Sequence, residues 1–481
     1  MHTVKATDYF QTNIAMEHFR ISRNDIYKAL SKALEFGADY ADIYFEHTTS
    51  NSIRLTDNSV DNAGSLTEFG AGVRAVAGDR TGYAYTENIT PEELTAAAKA
   101  AARIAQSSRQ YEPVNLHPLP LETNRYPVRK PWDEVDISRK RPYLERLNDK
   151  IFSLDNRVQK VMVSHNDSTS IILFANSLGD LYSDYIPSGA LSAVCLMEHK
   201  GRREQGTTSR SFRLGATFLN DAMIEEMAQE AVSRTSLLFR AVRPHGGMMP
   251  VVMGAGGSGI LLHEAIGHAF EADFNRKRTS IFSDKLGKVI CNRKINVVDD
   301  GTIPFNRGSI NFDDEGVPGQ KTYIVKNGKL NSYLHDRISA RHYGVMPTGN
   351  GRRESFRCAL LPRMRAIYME GGDCTREEII ASVRKGVYVD VFSNGQVQIG
   401  AGDFTFFVKS GYMIEDGRLT RPIKDINIIG NGPKALAGIT MVGNDLEIDN
   451  GTWTCGKEGQ NCPVTCGMPT VLVKQLTVGG E

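Results

Sequence analysis

Apolar residues recur at helical spacing in four stretches of the first half of the chain. The first, DIYKALSKALEF (25–36), is closed by Gly37, a helix stop. In ITPEELTAAAKAAARIAQ, Thr90 is the predicted N-cap, Pro91 the first helical residue and Glu93 the partner in a capping box. A basic stretch over about 138–154 and NDAMIEEMAQEAVSRTSLLFRA, from Asn220, complete the set. Strand patterns fill the gaps. ADIYFEHTTSNSIRL reads as a strand, and GAGVRAVAGDRTGYAYT as a hairpin turning at Gly78, Asp79 and Arg80. Several short strands, broken by turn signals such as NSLGD, run to about residue 214. Residues 111–132 carry five prolines and should be extended and irregular.

Beyond RPHGGMM (243–249), which reads as a domain junction, the pattern changes. One prominent helix, carrying HEAIGH, is followed mostly by strands and turns, with KNGK and EDGR as hairpin turns. The expected fold class is α+β in two domains. Residues 1–242 form a mixed N-terminal domain, and residues 243–481 a β-rich C-terminal domain carrying the HExxxH helix. A chain of 481 residues is long enough for two cores.

Lys+Arg number 57 against 56 Asp+Glu, so the basic surplus of a dedicated nucleic-acid binder is missing. No apolar run reaches the ~20 residues of a membrane helix, and the N-terminus has no signal-peptide core. The chain reads as cytoplasmic. Seven cysteines fit thiols or metal ligands better than a disulfide framework: Cys195, Cys291, Cys358 and Cys374 stand singly, and Cys455, Cys462 and Cys466 crowd together.

The densest chemistry lies in HEAIGHAFEAD, His263 to Asp273. Its histidines are five apart. On a regular α-helix that separates them by ~140°, too far round for one ligand set, whereas an i→i+5 π-bulge returns both to one face. Gly267, without a Cβ, would ease such a distortion. Satisfied core histidines are the plain alternative, but His263, Glu264 and His268 buried side by side without a metal would be costly. With a metal, the adjacent carboxylate of Glu264 is what a hydrolase needs as general base. Glu271, Asp273 and the distant Cys455 are all candidates for the third ligand, and Glu271 and Asp273 could instead orient a histidine N–H. Gly254, Gly256 and Gly259 form a GxGxxG pattern that would suit a dinucleotide-binding oxidoreductase. The following segment lacks the second buried strand which that reading requires, so the glycines are expected to make a tight strand-to-helix turn.

Ordered blocks along nearly the whole chain carry a resemblance: GVRAVAGDRTGYAY, HEAIGHAFEADFNRKRTSIFS, DDEGVPGQ, PTGNGRRES, MVGNDLEIDNG and CGKEGQ. The sequence resembles the TldD proteins, the metallopeptidase branch of the TldD/PmbA family, once labelled modulators of DNA gyrase. The resemblance implies a cytoplasmic zinc peptidase acting on unfolded peptides. It implies Zn²⁺ held by His263, His268 and Cys455, Glu264 as general base, and a related PmbA/TldE-type subunit, or a second copy, as partner. Membrane and direct nucleic-acid partners are not implied. Cys462 and Cys466 lie outside the family pattern and could substitute for Cys455 or bind a second metal. Arg352 and Arg353 are available to stabilise an oxyanion, with His335 and His342 nearby in sequence, but structural pairing of the arginines with carboxylates is the simpler expectation. A non-catalytic partner subunit is the alternative; it would have little reason to keep the full HExxxH and cysteine set.

Overall fold

The computed structural model describes residues 6–398 and 400–480. The first half is built on one seven-stranded sheet. Its strands are β1 (Tyr40–Thr56), β2 (Ser59–Ala77), β3 (Arg80–Thr86), β4 (His117–Pro118), β5 (Val158–Asn176), β6 (Asp180–His199) and β7 (Arg202–Phe212). The order runs β3-β2-β1-β5-β6, with β7 and the short parallel β4 both on β6. The strands expected to be short before residue 214 are instead long: β5 has 19 residues and β6 has 20. Asn176 to Asp180 does turn the chain, but Pro187 does not break β6. On one side Pro187 faces Thr169 of β5, and the pairing with β7 begins only at Gly189, so no ladder bond is lost on the other side.

Alternation along these strands makes two unlike faces. On β1, Ile43 and Phe45 pack under helices Arg23–Leu34 and Pro91–Ile104, while Ile53 and Leu55 pack under helices Ile137–Leu154 and Asp221–Leu238. Both helix pairs therefore cover the odd-numbered face. The even-numbered face turns to the second half of the chain. At one end Tyr44, Phe174 and Tyr182 pack on Phe312 and Phe356. Further along it becomes polar, with Thr48, Ser50 and Ser52 on β1 and Ser168 and Ser170 on β5.

Helix ends follow their caps. Asn220 caps the helix from Asp221, and the Thr90 hydroxyl accepts from the Glu93 N–H. Only half of the expected box forms there, since the Thr90 N–H goes to the Asn88 carbonyl. A full capping box stands one helix earlier, where Ser22 and Asp25 begin the first long helix two residues before the expected start.

The second half holds a six-stranded and a seven-stranded sheet, with further short helices at Arg337–Tyr343, Arg376–Ala381 and Gly432–Ala437. Asn327-Gly328 and Asp416-Gly417 turn hairpins with positive φ at both residues. A buried charge network ties the halves: Arg74 on β2 pairs with Asp42 on β1 and, at 2.6 Å, with Glu315. Among the described residues no helix is long and apolar enough to cross a membrane.

Candidate metal centre

Strand Gly247–Met253 ends in the glycine-rich turn and a single helical run follows. It is α-helical over Gly259–Leu262, π-helical over His263–Gly267 and 3₁₀ over His268–Phe270. The His268 N–H reaches back to the His263 carbonyl, the i→i+5 bond that the histidine spacing requires. The two imidazoles then lie 5.1 Å apart between ring centres. Gly267 has ordinary helical backbone (φ −58°), so it does not ease the bulge through conformational freedom. Its role is close packing: a Cβ there would sit 2.3 Å from the Met364 sulfur.

The GxGxxG glycines also serve packing. A Cβ on Gly254 would meet the Tyr388 hydroxyl at 2.3 Å, and one on Gly259 would meet the backbone nitrogen of Gly467 at 2.5 Å. Gly256, at φ +78°, takes the left-handed turn. The strand leading into the turn lies between an antiparallel neighbour, Val471–Gly479, and a parallel one, Lys385–Gln398, which is far along the chain and not joined to it by a single crossover helix, so the βαβ unit of a dinucleotide fold is absent here. We expect Gly259→Ala to cost about 1–3 kcal/mol by overpacking against backbone that cannot yield. A lowered unfolding midpoint measures it, and an unchanged midpoint would refute the packing account.

The third donor comes from far along the chain. Thr454–Lys457 and Gln460–Pro463 form a hairpin turned by Glu458 and Gly459, both at positive φ. Cys455 and Lys457 share its buried face, while Thr454 and Gly456 are exposed on the other. Arg363, fully buried, donates to the Cys455 carbonyl at 2.6 Å and to the Cys462 sulfur at 3.5 Å, which fixes the hairpin. Cys455 Sγ lies 3.4 Å from His268 Nε2, and donor atoms of His263, His268 and Cys455 all fall within 4.8 Å of one another. Burial opposes ionising the Cys455 thiol, but the His263 and His268 imidazoles outweigh it and bring it down to about 4, so the sulfur is a thiolate at neutral pH. Both ring nitrogens of His263 are buried without a hydrogen-bond partner. An orphaned buried imidazole beside a thiolate and a second imidazole is a donor set that fits a metal ion.

The remaining acidic residues divide. Glu264 is the most open, its side chain 26% exposed, with Oε2 3.9 Å from His268 Nε2. Glu271 is fully buried and accepts at 3.2 Å from Nδ1, the far side of the His268 ring. Asp273 lies farther out, its Oδ1 2.8 Å from Lys457 Nζ. Lys457 also reaches Glu271 at 3.0 Å and the Pro362 carbonyl at 3.0 Å. Burial raises both carboxylates' pKa. In Glu271, Lys457 and His268 together outweigh it and bring the group down to about 2, whereas Asp273, with Lys457 alone and Glu271 repelling it, stays raised. Lys457 was not legible as a site residue by type. The signal available was its spacing, two residues after Cys455 on a strand. Lys457→Met would leave the buried Asp273 without its cation and Glu271 with His268 alone, and we expect a loss of roughly 3–5 kcal/mol in chemical denaturation. Wild-type stability in that variant would remove Lys457 from this role.

Cys462 faces Cys455 across the hairpin, and Cys466 lies in a buried strand; neither belongs to the converging donors among the described residues. Arg353 is held by the Asp314 carbonyl at 3.1 Å and by Asp42 at 3.5 Å, whereas Arg352 donates only to the carbonyls of Met364 and Pro463. His335 is buried, which lowers it to about 4, and His342 is exposed.

A mixed α and β scaffold presenting two imidazoles, a thiolate and an open glutamate on a π-turn defines a candidate metal-dependent enzyme. Comparison with known proteins gives the family: the chain belongs to the PmbA/TldD metallopeptidase family. Family models described as PmbA/TldA metallopeptidase domain 1, central domain and C-terminal domain match residues 41–105, 130–239 and 246–480. They divide into two the stretch expected to be one N-terminal domain. The chain is 38% identical over 471 residues to "Metalloprotease TldD homolog" of Buchnera aphidicola (Acyrthosiphon pisum symbiont), covering 96% of this chain and 97% of the relative. It is 28% identical over 468 residues to "Zinc metalloprotease TldD homolog" of Saccharolobus solfataricus, covering 95% and 100%. In fold it is similar to a Thermotoga maritima protein described as a candidate modulator of a DNA gyrase (TM-score 0.76, 23% identity, 96% and 100% covered). It is also similar in fold to TldE from Thermococcus kodakarensis (TM-score 0.73, 19% identity, 97% and 100% covered).

Proposed function

We propose that the protein is a zinc-dependent peptidase hydrolysing peptide bonds of unfolded chains, with His263, His268 and Cys455 as the metal's ligands and Glu264 as general base. The observation that carries this reading is His263, whose two ring nitrogens are buried and unpartnered beside the Cys455 thiolate and His268. The name of the Saccharolobus relative supports zinc. When bound, zinc supplies a Lewis acid that acidifies water and polarises a carbonyl.

The protein's own groups do the rest. Glu271 holds the proton on His268 Nδ1, leaving Nε2 as the donor atom. Lys457 neutralises Glu271, so this negative charge can stay buried beside the site. Glu264, open to solvent on the same turn, takes the proton of the attacking water and returns it to the leaving amine. An extended peptide bound through its main chain would suit loose sequence preference. A TldE-type subunit enclosing the site would restrict entry to unfolded chains.

The test is elemental analysis of the purified protein, with hydrolysis of an unstructured peptide and of a disulfide-locked folded one, with and without a TldE-type subunit. About one zinc per chain, and cleavage of the unstructured peptide alone, is the expected result. Absence of zinc in freshly prepared protein, or equal cleavage of the locked substrate, would overturn the reading. A non-catalytic subunit would show neither zinc nor cleavage under any of these conditions.

A further inference from the structure

A cavity of about 760 Å³ lies apart from the metal donors, none of which lines it. It lies between the polar even-numbered face of the first sheet and the second half of the chain. Its wall shares the cysteine hairpin: Thr454 and Pro463 line the cavity, while Cys455 and Cys462 are on the buried face of the same hairpin. The two places are thus the two sides of one hairpin.

Arg213, Arg307 and Arg352 converge on this cavity from three separate segments. Among the described residues none of them has a carboxylate within ion-pair distance. Arg213 Nε donates to the Ser309 carbonyl at 2.7 Å, and Arg352 donates to carbonyls through both terminal nitrogens. Arg307 has one hydrogen bond, to the Ser211 hydroxyl, and its buried Nε has no partner. Burial, and then the charges of Arg213 and Arg352, push Arg307 down to about 10; no carboxylate offsets them. The cavity's own acidic groups are engaged elsewhere. Glu46 accepts from the Thr48 hydroxyl and the Phe356 N–H, Glu68 from Arg357, and Asp167 from Lys140. Asp314 accepts from the Arg353 N–H. Asp184 and Asp314 act on Arg213 only from beyond ion-pair distance, and burying guanidinium groups with spare donors and no carboxylate in contact is unfavourable unless a ligand supplies the anion.

The geometry points to a carboxylate-binding subsite in this cavity, where Arg213, Arg307 and Arg352 receive a carboxylate of the peptide, its C-terminal one in the first instance. Planar guanidinium forks match a carboxylate's two oxygens. Opposite them, hydroxyls of Thr48, Ser50, Ser52 and Ser188 and the Asn166 amide offer donors and acceptors to an extended main chain. A volume of about 760 Å³ falls in the ~300–1,000 Å³ range of ligand sites, enough for a short stretch of peptide. The inference rests on the peptidase reading for its substrate, but its binding chemistry stands apart from hydrolysis.

Binding is therefore measured directly, by calorimetry on the full chain carrying Glu264→Gln. The probes are one short Ser/Ala peptide as its free acid, the same peptide as its C-terminal amide, and an amidated version with one internal Glu. The free acid is expected to bind roughly ten- to a hundredfold more tightly than the amide, the worth of a charge-assisted pair. Arg307→Gln should abolish that difference and leave amide binding unchanged. Arg213→Gln serves as an independent variant should the first not fold, and Arg307→Lys should restore part of the preference. Tight, Arg307-dependent binding of the internal-Glu amide keeps the subsite and assigns it to an acidic side chain. Equal binding of all three peptides, or an acid preference indifferent to both arginine substitutions, overturns the proposal. Selective binding in a protein whose wild type hydrolyses nothing would sink the peptidase reading and leave the subsite standing.

Discussion

Replacing Glu264 by Gln is expected to lower peptide hydrolysis by about 10²–10⁴-fold while zinc content stays at the wild-type level. The amide matches the carboxylate in size and cannot accept the water's proton, so the loss should fall on kcat and leave KM nearly unchanged. Geometry motivates the expectation. Glu264 sits in the π-turn between the two imidazoles in sequence, and its side chain is 26% exposed where theirs are buried. The measurement is steady-state hydrolysis paired with elemental analysis on the same preparation. A variant within about tenfold of wild type would remove Glu264 from proton transfer. Loss of zinc together with activity would instead give it a ligand's role.

On the same reading, Cys455→Ala is expected to empty the site. Its sulfur is the donor supplied from outside the helical run, 187 residues beyond His268. Structural zinc in zinc-finger peptides gains about 10–16 kcal/mol, so one donor is worth several kcal/mol and its loss is expected to weaken binding roughly a thousandfold or more. Dialysis followed by elemental analysis reads this. Full zinc in Cys455→Ala would transfer the role to Cys462 or to a carboxylate. The pH dependence has a definite sign. Protons compete with the metal for its donors, so affinity falls as pH falls. With the Cys455 thiol held down at about 4, the thiolate persists through mild acid, so its protonation costs affinity only well below neutral pH.

Much of this was written locally. The helices over Arg23–Leu34, Pro91–Ile104, Ile137–Leu154 and Asp221–Leu238 follow from periodicity and from caps a few residues away. Hairpin turns at Asn327-Gly328 and Asp416-Gly417 follow from residues that tolerate positive φ. For the two histidines to share a metal, their five-residue spacing called for an i→i+5 turn, because on a regular helix it scatters the rings, and that turn is present. The errors were local too. Turn signals such as NSLGD suggested several short strands, but a strand's length is set by the partner beside it, and β5 and β6 pair almost end to end around that one turn.

What the sequence by itself determined, then, is the four helices of the first half, the hairpin turns and the half of the candidate site carried on one turn: His263, Glu264, His268 and, three residues on, Glu271. Tertiary structure alone brought Cys455 and Lys457 to that turn, put Cys455 on the Nε2 side of His268, Glu271 on its Nδ1 side and Asp273 on Lys457, and set Arg363 behind the hairpin. It alone gathered Arg213, Arg307 and Arg352 around one cavity. The physical reason is range. Periodicity, capping and turn chemistry act over a few residues along the chain. A donor set or a charge cluster is a statement about side chains hundreds of residues apart, and it exists only once strand register and burial have placed them.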